Sequence, residues 1–389
     1  MNIDYRMPTR LVIGAGKFRE LHKMELPGKK ALIVAYGSQS KTTKKYLPPL
    51  QEELDAAGIS YVVYDKILSN PIKKHVMEGA QLAKEAGCDF IIGLGGGSST
   101  DSAKAISVMA ANEGDYWDYV VGGSAKGLPI PNKPLPVVAI STTSGTGTEA
   151  DPWTVVTNEA TDEKIGFGTA DTFPALSIID PCLTLSVPPM LTAFQGFDVF
   201  FHNAEGYVCN AATPLADCYS LPAIELIGKY LPKAVADGSD LEARTQVALA
   251  NILGGFIQVA SSCAAEHSIA HAIGAFFPQI QHGAALIMIS RAYFSRYARL
   301  KIREERLIRM AQALGNKGAT KPEDFVDSLE QLKRDCGVGD LKMSDFGIQK
   351  KDLPALAKNA IFTMGGLFEH EPVPLSEADC IQLLEESYR

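Results

Sequence analysis

The first half of the chain alternates short apolar, β-branched runs with stretches of helical period. Lys30-Ala-Leu-Ile-Val-Ala-Tyr36, Ser60-Tyr-Val-Val-Tyr64, Asp89-Phe-Ile-Ile-Gly-Leu94, Leu135-Pro-Val-Val-Ala-Ile140 and Ala175-Leu-Ser-Ile-Ile-Asp180 read as strands. Residues 44–57 and 75–86, between the first three, carry apolar positions at helical spacing. Strands separated by helices predict βαβ units and a mostly parallel sheet covered on both faces. After Pro188-Pro189 the pattern changes to long helical stretches: 190–208, 219–236, 241–264, 267–276, 284–297, 303–313, 322–336 and 351–359. The pattern therefore predicts an α/β nucleotide-binding domain over 1–187 and an all-α domain over 188–389. A chain of 389 residues also exceeds one ordinary core and suits ~2 domains.

Composition narrows the function classes. The net charge is −8, and an acidic chain with scattered Lys and Arg is a poor partner for nucleic acid. The densest basic run, Lys301-Ile-Arg303-Glu-Glu-Arg306, is mixed in sign and reads as a solvated helix face. Seven cysteines without a Cys-x-x-Cys pair do not make a disulfide framework and point to a reducing, cytoplasmic setting. The start, Met1-Asn-Ile-Asp-Tyr-Arg, has no signal-peptide core. No run approaches ~18 apolar residues, so no membrane span is expected.

Two turns carry candidate nucleotide chemistry. Gly93-Leu-Gly95-Gly96-Gly97-Ser98-Ser99 follows a buried strand and opens a helix at Thr100-Asp101. Glycines let backbone N–H groups approach phosphate oxygens, and a helix N-terminus adds partial positive charge. The spacing is neither G-x-G-x-x-G nor a P-loop, so the run alone also fits a plain strand-to-helix turn. Ser141-Thr142-Thr143-Ser144-Gly145-Thr146-Gly147 follows the neighbouring strand, at the sheet edge where α/β folds bind ligands. After the first strand, Tyr36-Gly37-Ser38-Gln39-Ser40-Lys41 is followed by no Asp or Glu until Glu52. NAD sites usually carry an acid there to grip the ribose diol. Ser38, Ser40 and Lys41 suit a 2′-phosphate, which favours NADP, although a site accepting NAD also needs no acid.

The second half holds a histidine cluster. Only seven histidines occur in the chain, yet His267, His271 and His282 fall within one short segment and His202 stands four residues after Asp198. Residues four apart on a helix share a face, so Asp198 and His202 can point at one ion. Carboxylate and imidazole suit iron(II), zinc or nickel. A lone histidine is most often a helix-start or packed polar residue; four with an aspartate shift the balance. Spacing makes His271 the obvious companion of His267, while Gln281-His282-Gly283 follows a Phe-Phe-Pro break where a loop can present a ligand. His22, His75 and His370 are assigned to surface or packing.

Taken in order, these motifs resemble the iron-dependent (group III) alcohol dehydrogenases. The resemblance runs through Thr9–Gly16, Asn70-Pro71, Gly95-Gly-Gly-Ser98-x-x-Asp101-x-x-Lys104 and Gly145-Thr-Gly-Thr-Glu149. It continues through Asp180-Pro181, Gly196-Phe-Asp198-x-x-x-His202-x-x-Glu205-x-Tyr207, His267-x-x-x-His271-x-x-Gly274 and His282-Gly283. It implies Asp198, His202, His267 and His282 as metal ligands and His271 as a histidine beside nicotinamide and substrate, a candidate proton relay. It implies Gly95, Gly96, Gly97 and Ser98 as a pyrophosphate clamp with Asp101 behind it, and Thr142, Thr143, Thr146 and Lys164 as further cofactor contacts; Gly37, Ser38 and Asn70 join them as candidate cofactor-binding positions. The implied architecture is dehydroquinate-synthase-like: an α/β nucleotide domain and a helical metal domain with the active site in the cleft between them. The implied activity is hydride transfer between a small primary alcohol or diol, or its aldehyde, and NAD or NADP, in a homodimer or larger assembly with iron, zinc or nickel.

Two departures bear on substrate. Phe362–Pro374 lacks the family's Asn-Pro-Arg pattern, and Phe200-Phe201 stands where smaller residues are usual, either narrowing the pocket or packing the helix core. Glycerol-dehydrogenase-like polyol oxidation differs only in substrate. A dehydroquinate-synthase-type lyase would need Lys and Arg near the metal, and from 186 to 285 only Lys229, Lys233 and Arg244 occur.

Overall fold

The computed structural model describes residues 3–389, which divide into two compact units. The N-terminal unit comprises Arg6–Thr143 and Thr148–Thr184. The helical unit comprises Leu185–Arg389, Ser144–Gly147 and a short stretch ending at Tyr5.

The N-terminal unit runs β1 (Arg10–Ile13), β2 (Lys30–Tyr36), α1 (Lys41–Ala56), β3 (Ser60–Ile67), α2 (Lys73–Ala86), β4 (Phe90–Gly95), α3 (Gly97–Ala111), α4 (Tyr116–Tyr119), β5 (Val137–Ser141), β6 (Thr154–Asn158), β7 (Glu163–Phe167) and β8 (Leu176–Ile179). Six strands form one sheet in the order β1-β8-β5-β4-β2-β3, with every pairing parallel. Ala31 to Ala35 and Phe90 to Ile92 have no exposed surface. Strands buried on both faces read as continuous apolar runs, not alternating ones. From β2 the chain moves outward to β3, whereas from β4 it moves the other way to β5. The strand order thus reverses between β2 and β4, the kind of crevice where open α/β sheets take ligands. β6 and β7 pair with each other, antiparallel, and Thr157 of β6 also bridges Ile72. Their strands are five residues each and mix Thr, Glu and Lys with apolar residues, which hid them from the pattern.

The helical unit runs α5 (Pro189–Val208), α6 (Pro214–Ala236), α7 (Leu241–Ala260), α8 (Ala265–Phe276), α9 (His282–Arg299), α10 (Glu304–Ala313), α11 (Glu323–Asp335), α12 (Leu353–Phe368) and α13 (Glu377–Ser387). α5 is buried on nearly every side, as a helix apolar all round must be. Phe200 and Phe201 pack the core: their rings lie 5.2 Å apart, with Phe200 6.2 Å from Phe325 and Phe201 6.3 Å from Phe294. The pocket-narrowing alternative for this pair gives way to packing. Four other expectations change. The helix expected over 241–264 ends at Ala260, and the chain bends by 108° before α8. α12 continues to Phe368, and α13 lies beyond it. His282 is the first residue of α9 and not part of a loop. Lys301 and Arg303 adopt left-handed turn conformations, and Arg306 pairs with Asp217 at 2.6 Å while its guanidinium covers the Tyr207 ring; the run 301–306 is largely exposed but is a turn leading into α10 and not one helix face. No single helix is long and apolar enough to cross a membrane.

Candidate metal centre and nucleotide turn

α5 presents Asp198, His202 and Glu205 at i, i+4 and i+7, one face of the helix. Asp198 Oδ1 lies 3.7 Å from His202 Nε2, 3.6 Å from His267 Nε2 and 3.6 Å from His282 Nε2. None of these is a hydrogen-bond distance. Asp198 Oδ1 and His267 Nε2 are buried without a hydrogen-bond partner, an expensive arrangement for polar atoms unless something else binds them. Ligands of one tetrahedral ion with bonds of 2.0–2.2 Å sit roughly 3.3–3.6 Å apart. Donor atoms of Asp198, His267 and His282 lie within 4.8 Å of one another, and with His202 Nε2 also 3.7 Å from Asp198 Oδ1 the set suits a single divalent cation. Burial holds His202 neutral, with its pKa pushed down to about 4, the form that offers a lone pair to a metal.

The approach of α9 depends on one glycine. A Cβ on Gly283 would stand 1.9 Å from the Phe194 carbonyl oxygen, so only glycine lets the start of α9 meet α5 and bring His282 to Asp198. Glu205 fixes His267 from behind. Its Oε1 accepts from His267 Nδ1, and its Oε2 accepts the Ala264 N–H at 2.6 Å. An Nδ1–H donor leaves Nε2 with its lone pair toward Asp198. Burial opposes a charge on His267, but Cys263, Glu205 and Asp198 outweigh it and raise the pKa well above the ordinary value, so a cation binding at Nε2 displaces a proton there. Glu205 received no role in the sequence reading; its signal is a charge three residues after His202 on an otherwise apolar helix. Cys263 was likewise unassigned, and its half-buried sulfur stands beside His202 and His267.

His271 is not in the Asp198 group. Its ring lies 5.1 Å from that of His282, and its Nδ1 is 2.8 Å from Met364 Sδ. Met364 sits at a non-helical kink within α12, so this residue of the 362–374 stretch meets His271. Of the other histidines, His22 pairs with Glu53 at 2.6 Å.

In the N-terminal unit the turns after β4 and β5 adjoin. Gly95 pairs with Ser141 in register, and the Thr142 N–H donates to the Gly95 carbonyl at 2.8 Å. A Cβ on Gly96 would lie 2.7 Å from Thr143 Oγ1, and Gly95 has φ +149° with Ser99 Oγ 2.3 Å from where its Cβ would be. Gly97 opens α3, so its N-terminus faces the reversal point beside Gly37 and Ser38 at the end of β2. Ser98 Oγ donates to the Ser69 carbonyl at 2.5 Å, and Lys164 Nζ donates to Asn70 Oδ1 at 2.9 Å. Ser69 and Asn70 thus tie Ser98 and Lys164 to the same side of the turn. Asp101 is engaged elsewhere: its carboxylate accepts from Thr148 Oγ1 at 2.6 Å and from the Val155 N–H at 3.1 Å. Beside it, buried Lys104 donates to Asp151 Oδ1 at 3.1 Å and to Thr148 Oγ1 at 2.7 Å. Burial pushes Asp101 up to about 6 and Asp151 up to about 7. Thr146 belongs to the helical unit, where its carbonyl accepts from Gln258 at 2.9 Å.

Residues 8–181 match the family model described as iron-containing alcohol dehydrogenase, and residues 192–388 match the C-terminal model of the Fe-containing alcohol dehydrogenase family. The chain is 33% identical to the NAD-dependent methanol dehydrogenase of Bacillus methanolicus, over 92% of this chain and 93% of that protein. It is 32% identical to the 1,3-propanediol dehydrogenase of Citrobacter freundii, over 86% of each. The crystal structure of an archaeal halo-thermophilic alcohol dehydrogenase from a Red Sea brine pool superposes with a TM-score of 0.94 at 33% identity, covering 100% of this chain and 99% of that one.

Proposed function

The chain belongs to the iron-containing alcohol dehydrogenase family, and from that premise we propose that it interconverts small primary alcohols or diols with their aldehydes at a divalent-metal site formed by Asp198, His202, His267 and His282. The observation that carries this reading is the single buried oxygen of Asp198 facing three imidazole nitrogens. A cation held there supplies Lewis acidity toward the substrate oxygen. Asp198 offsets part of the cation's charge, and Glu205 keeps the lone pair of His267 Nε2 directed at the site. His271, with Nδ1 set against Met364 Sδ, relays the alcohol proton through Nε2, since imidazole exchanges protons near neutral pH. Gly95, Gly96, Gly97 and Ser98 would hold the pyrophosphate of a nicotinamide dinucleotide, which would supply the hydride acceptor or donor for the alcohol–aldehyde pair. Exposed Ser38 and Lys41 leave room for a 2′-phosphate, so both NAD and NADP are accepted, with NADP favoured.

Methanol and 1,3-propanediol in the relatives' names support a small substrate. Iron is the metal of first choice, and zinc or nickel suit the same donors. A homodimer or larger assembly in the cytoplasm completes the reading. The test is metal analysis of the purified protein followed by absorbance at the NAD(P)H band with methanol, ethanol, 1,2-propanediol, 1,3-propanediol, butanol and glycerol. Asp198→Ala and His282→Ala are expected to lose both metal and turnover. Intact metal content in either variant overturns the ligand set, and no signal with any alcohol overturns the substrate class.

A further inference from the structure

We propose that Cys263 gives this centre a second, sulfur-containing coordination mode, in which a thiophilic divalent cation such as zinc or cobalt(II) is held by Cys263 Sγ with His202 and His267. The inference rests on the metal site proposed above and goes beyond its four ligands.

Cys263 Sγ and one ring nitrogen each of His202 and His267 lie within 4.8 Å of one another, as do donor atoms of Asp198, His267 and His282. Two overlapping donor sets therefore meet at His267, one closed by a carboxylate and the other by a thiol. His267 is almost wholly buried and its Nε2 has no hydrogen-bond partner, so a cation between the two sets would satisfy it.

The sulfur is placed by the bend between α7 and α8. That bend is pinned to α5 on both sides of Cys263: Ser261 Oγ donates to the Gly206 carbonyl at 2.8 Å, and the Ala264 N–H donates to Glu205 at 2.6 Å. Cys263 is thereby held beside α5 rather than left on a mobile loop. Donor atoms of one zinc-like ion with sulfur and nitrogen ligands sit roughly 3.4–3.7 Å apart. Closing from spacings within 4.8 Å requires at most about 1 Å of movement, within a rotamer adjustment of a half-buried side chain.

The two sets differ in softness. Carboxylate with imidazole suits iron(II), whereas thiolate with imidazole draws zinc and its mimics. Binding through sulfur releases the thiol proton to solvent. Because His267 is common to both sets, one cation binds at a time, and its chemical character selects the donor set.

The experiment is titration of metal-free protein with cobalt(II), read by absorbance. The wild type is expected to show a near-ultraviolet thiolate-to-cobalt charge-transfer band together with visible ligand-field bands. Cys263→Ser is expected to lose the first, keep the second and bind zinc at least ~10-fold more weakly, the scale on which even an outer partner of a ligand counts. Ligand-field bands without charge transfer in the wild type overturn the sulfur mode and leave the Asp198 site standing. A charge-transfer band that survives Cys263→Ser assigns the sulfur to another cysteine and also overturns the proposal. Absence of cobalt binding overturns both. If Cys263→Ser does not fold, iodoacetamide mapping of the wild type decides: zinc must protect Cys263 while exposed Cys218 still reacts, and equal labelling of Cys263 with and without zinc rejects the mode.

Discussion

Replacing Glu205 by Gln separates orientation of a ligand from stability of the fold. Both carboxylate oxygens of Glu205 act as acceptors, one for His267 Nδ1 and one for the Ala264 N–H. Glutamine has one oxygen and one NH2, so it satisfies only one of the two. With its oxygen on Ala264, the NH2 faces His267 Nδ1, which must then accept. The ring proton moves to Nε2, the atom 3.6 Å from Asp198 Oδ1, and the lone pair for the metal is lost. The flipped amide instead sets two donors against each other at Ala264, costing about 1–3 kcal/mol for a buried unmade bond. Either orientation is expected to weaken metal binding by roughly 10–100-fold, about 1.4–2.7 kcal/mol. The metal-free fold should suffer less. Burial raises the pKa values of Glu266 and Glu371, and the Glu205 charge adds to both rises, so removing that charge relieves repulsion. Chelator competition at pH 7 measures the affinity, and thermal unfolding of the metal-free protein measures the fold. A folded Glu205→Gln protein with wild-type metal affinity would refute the reasoning.

Gly283→Ala drives a Cβ to 1.9 Å from the Phe194 carbonyl oxygen and must displace the start of α9. It is expected to cost about 1–3 kcal/mol and to lower metal content, and an unchanged Tm with full metal occupancy would show that α9 has slack. Lys104→Met leaves Asp101 and Asp151 buried with no cation and should destabilise the N-terminal unit by about 3–5 kcal/mol, measured by urea unfolding followed through Trp117 and Trp153, the chain's two tryptophans. The same probe reads the pH dependence of Asp151, whose pKa rises from 3.8 to about 7 on burial. The folded state holds its proton more tightly than the unfolded state, so this group's contribution is fully present below pH 4 and is lost as pH rises through 7. The urea midpoint should therefore fall more steeply between pH 5 and 7.5 in the wild type than in Asp151→Asn, and parallel slopes would reject the assignment.

The sheet was legible because burial on both faces leaves an unmistakable mark: Ala31 to Ala35 and Phe90 to Ile92 are continuous apolar runs. The β6–β7 hairpin had no such mark. Its polar residues are buried by tertiary partners, as where Thr154 Oγ1 donates to the Asp101 carbonyl at 2.7 Å, and no local period encodes that. α13 did carry a signal that went unread. Ser376 and Asp379 form a capping box, and the Ser-x-x-Asp spacing after Pro374 is a helix-start signature. Gly37, Ser38 and the turns after β4 and β5 stood out as candidates by their small and hydroxyl residues after apolar strands, because ligand crevices in parallel sheets form at a predictable edge.

The metal centre shows where spacing stops being informative. Four residues along a helix guarantee a shared face but say nothing about the helix opposite. Asp198 and His202 share both a face and a neighbour, and their atoms converge at 3.7 Å. His267 and His271 have the same spacing, yet His271 Nδ1 is occupied by Met364 Sδ while His267 Nε2 reaches Asp198. The fourth nitrogen comes from another helix, and its arrival is controlled by backbone contact between α5 and α9. That contact leaves one trace in the sequence, the glycine directly after His282, because any side chain at 283 would strike Phe194. Ligand geometry between helices is therefore read less from histidine spacing than from the small residues that decide how closely the backbones approach. By the same logic Glu205 was readable: a carboxylate on an apolar, fully buried helix must be paired to be tolerated, and one turn from His202 the partner it demands is a histidine at the same centre.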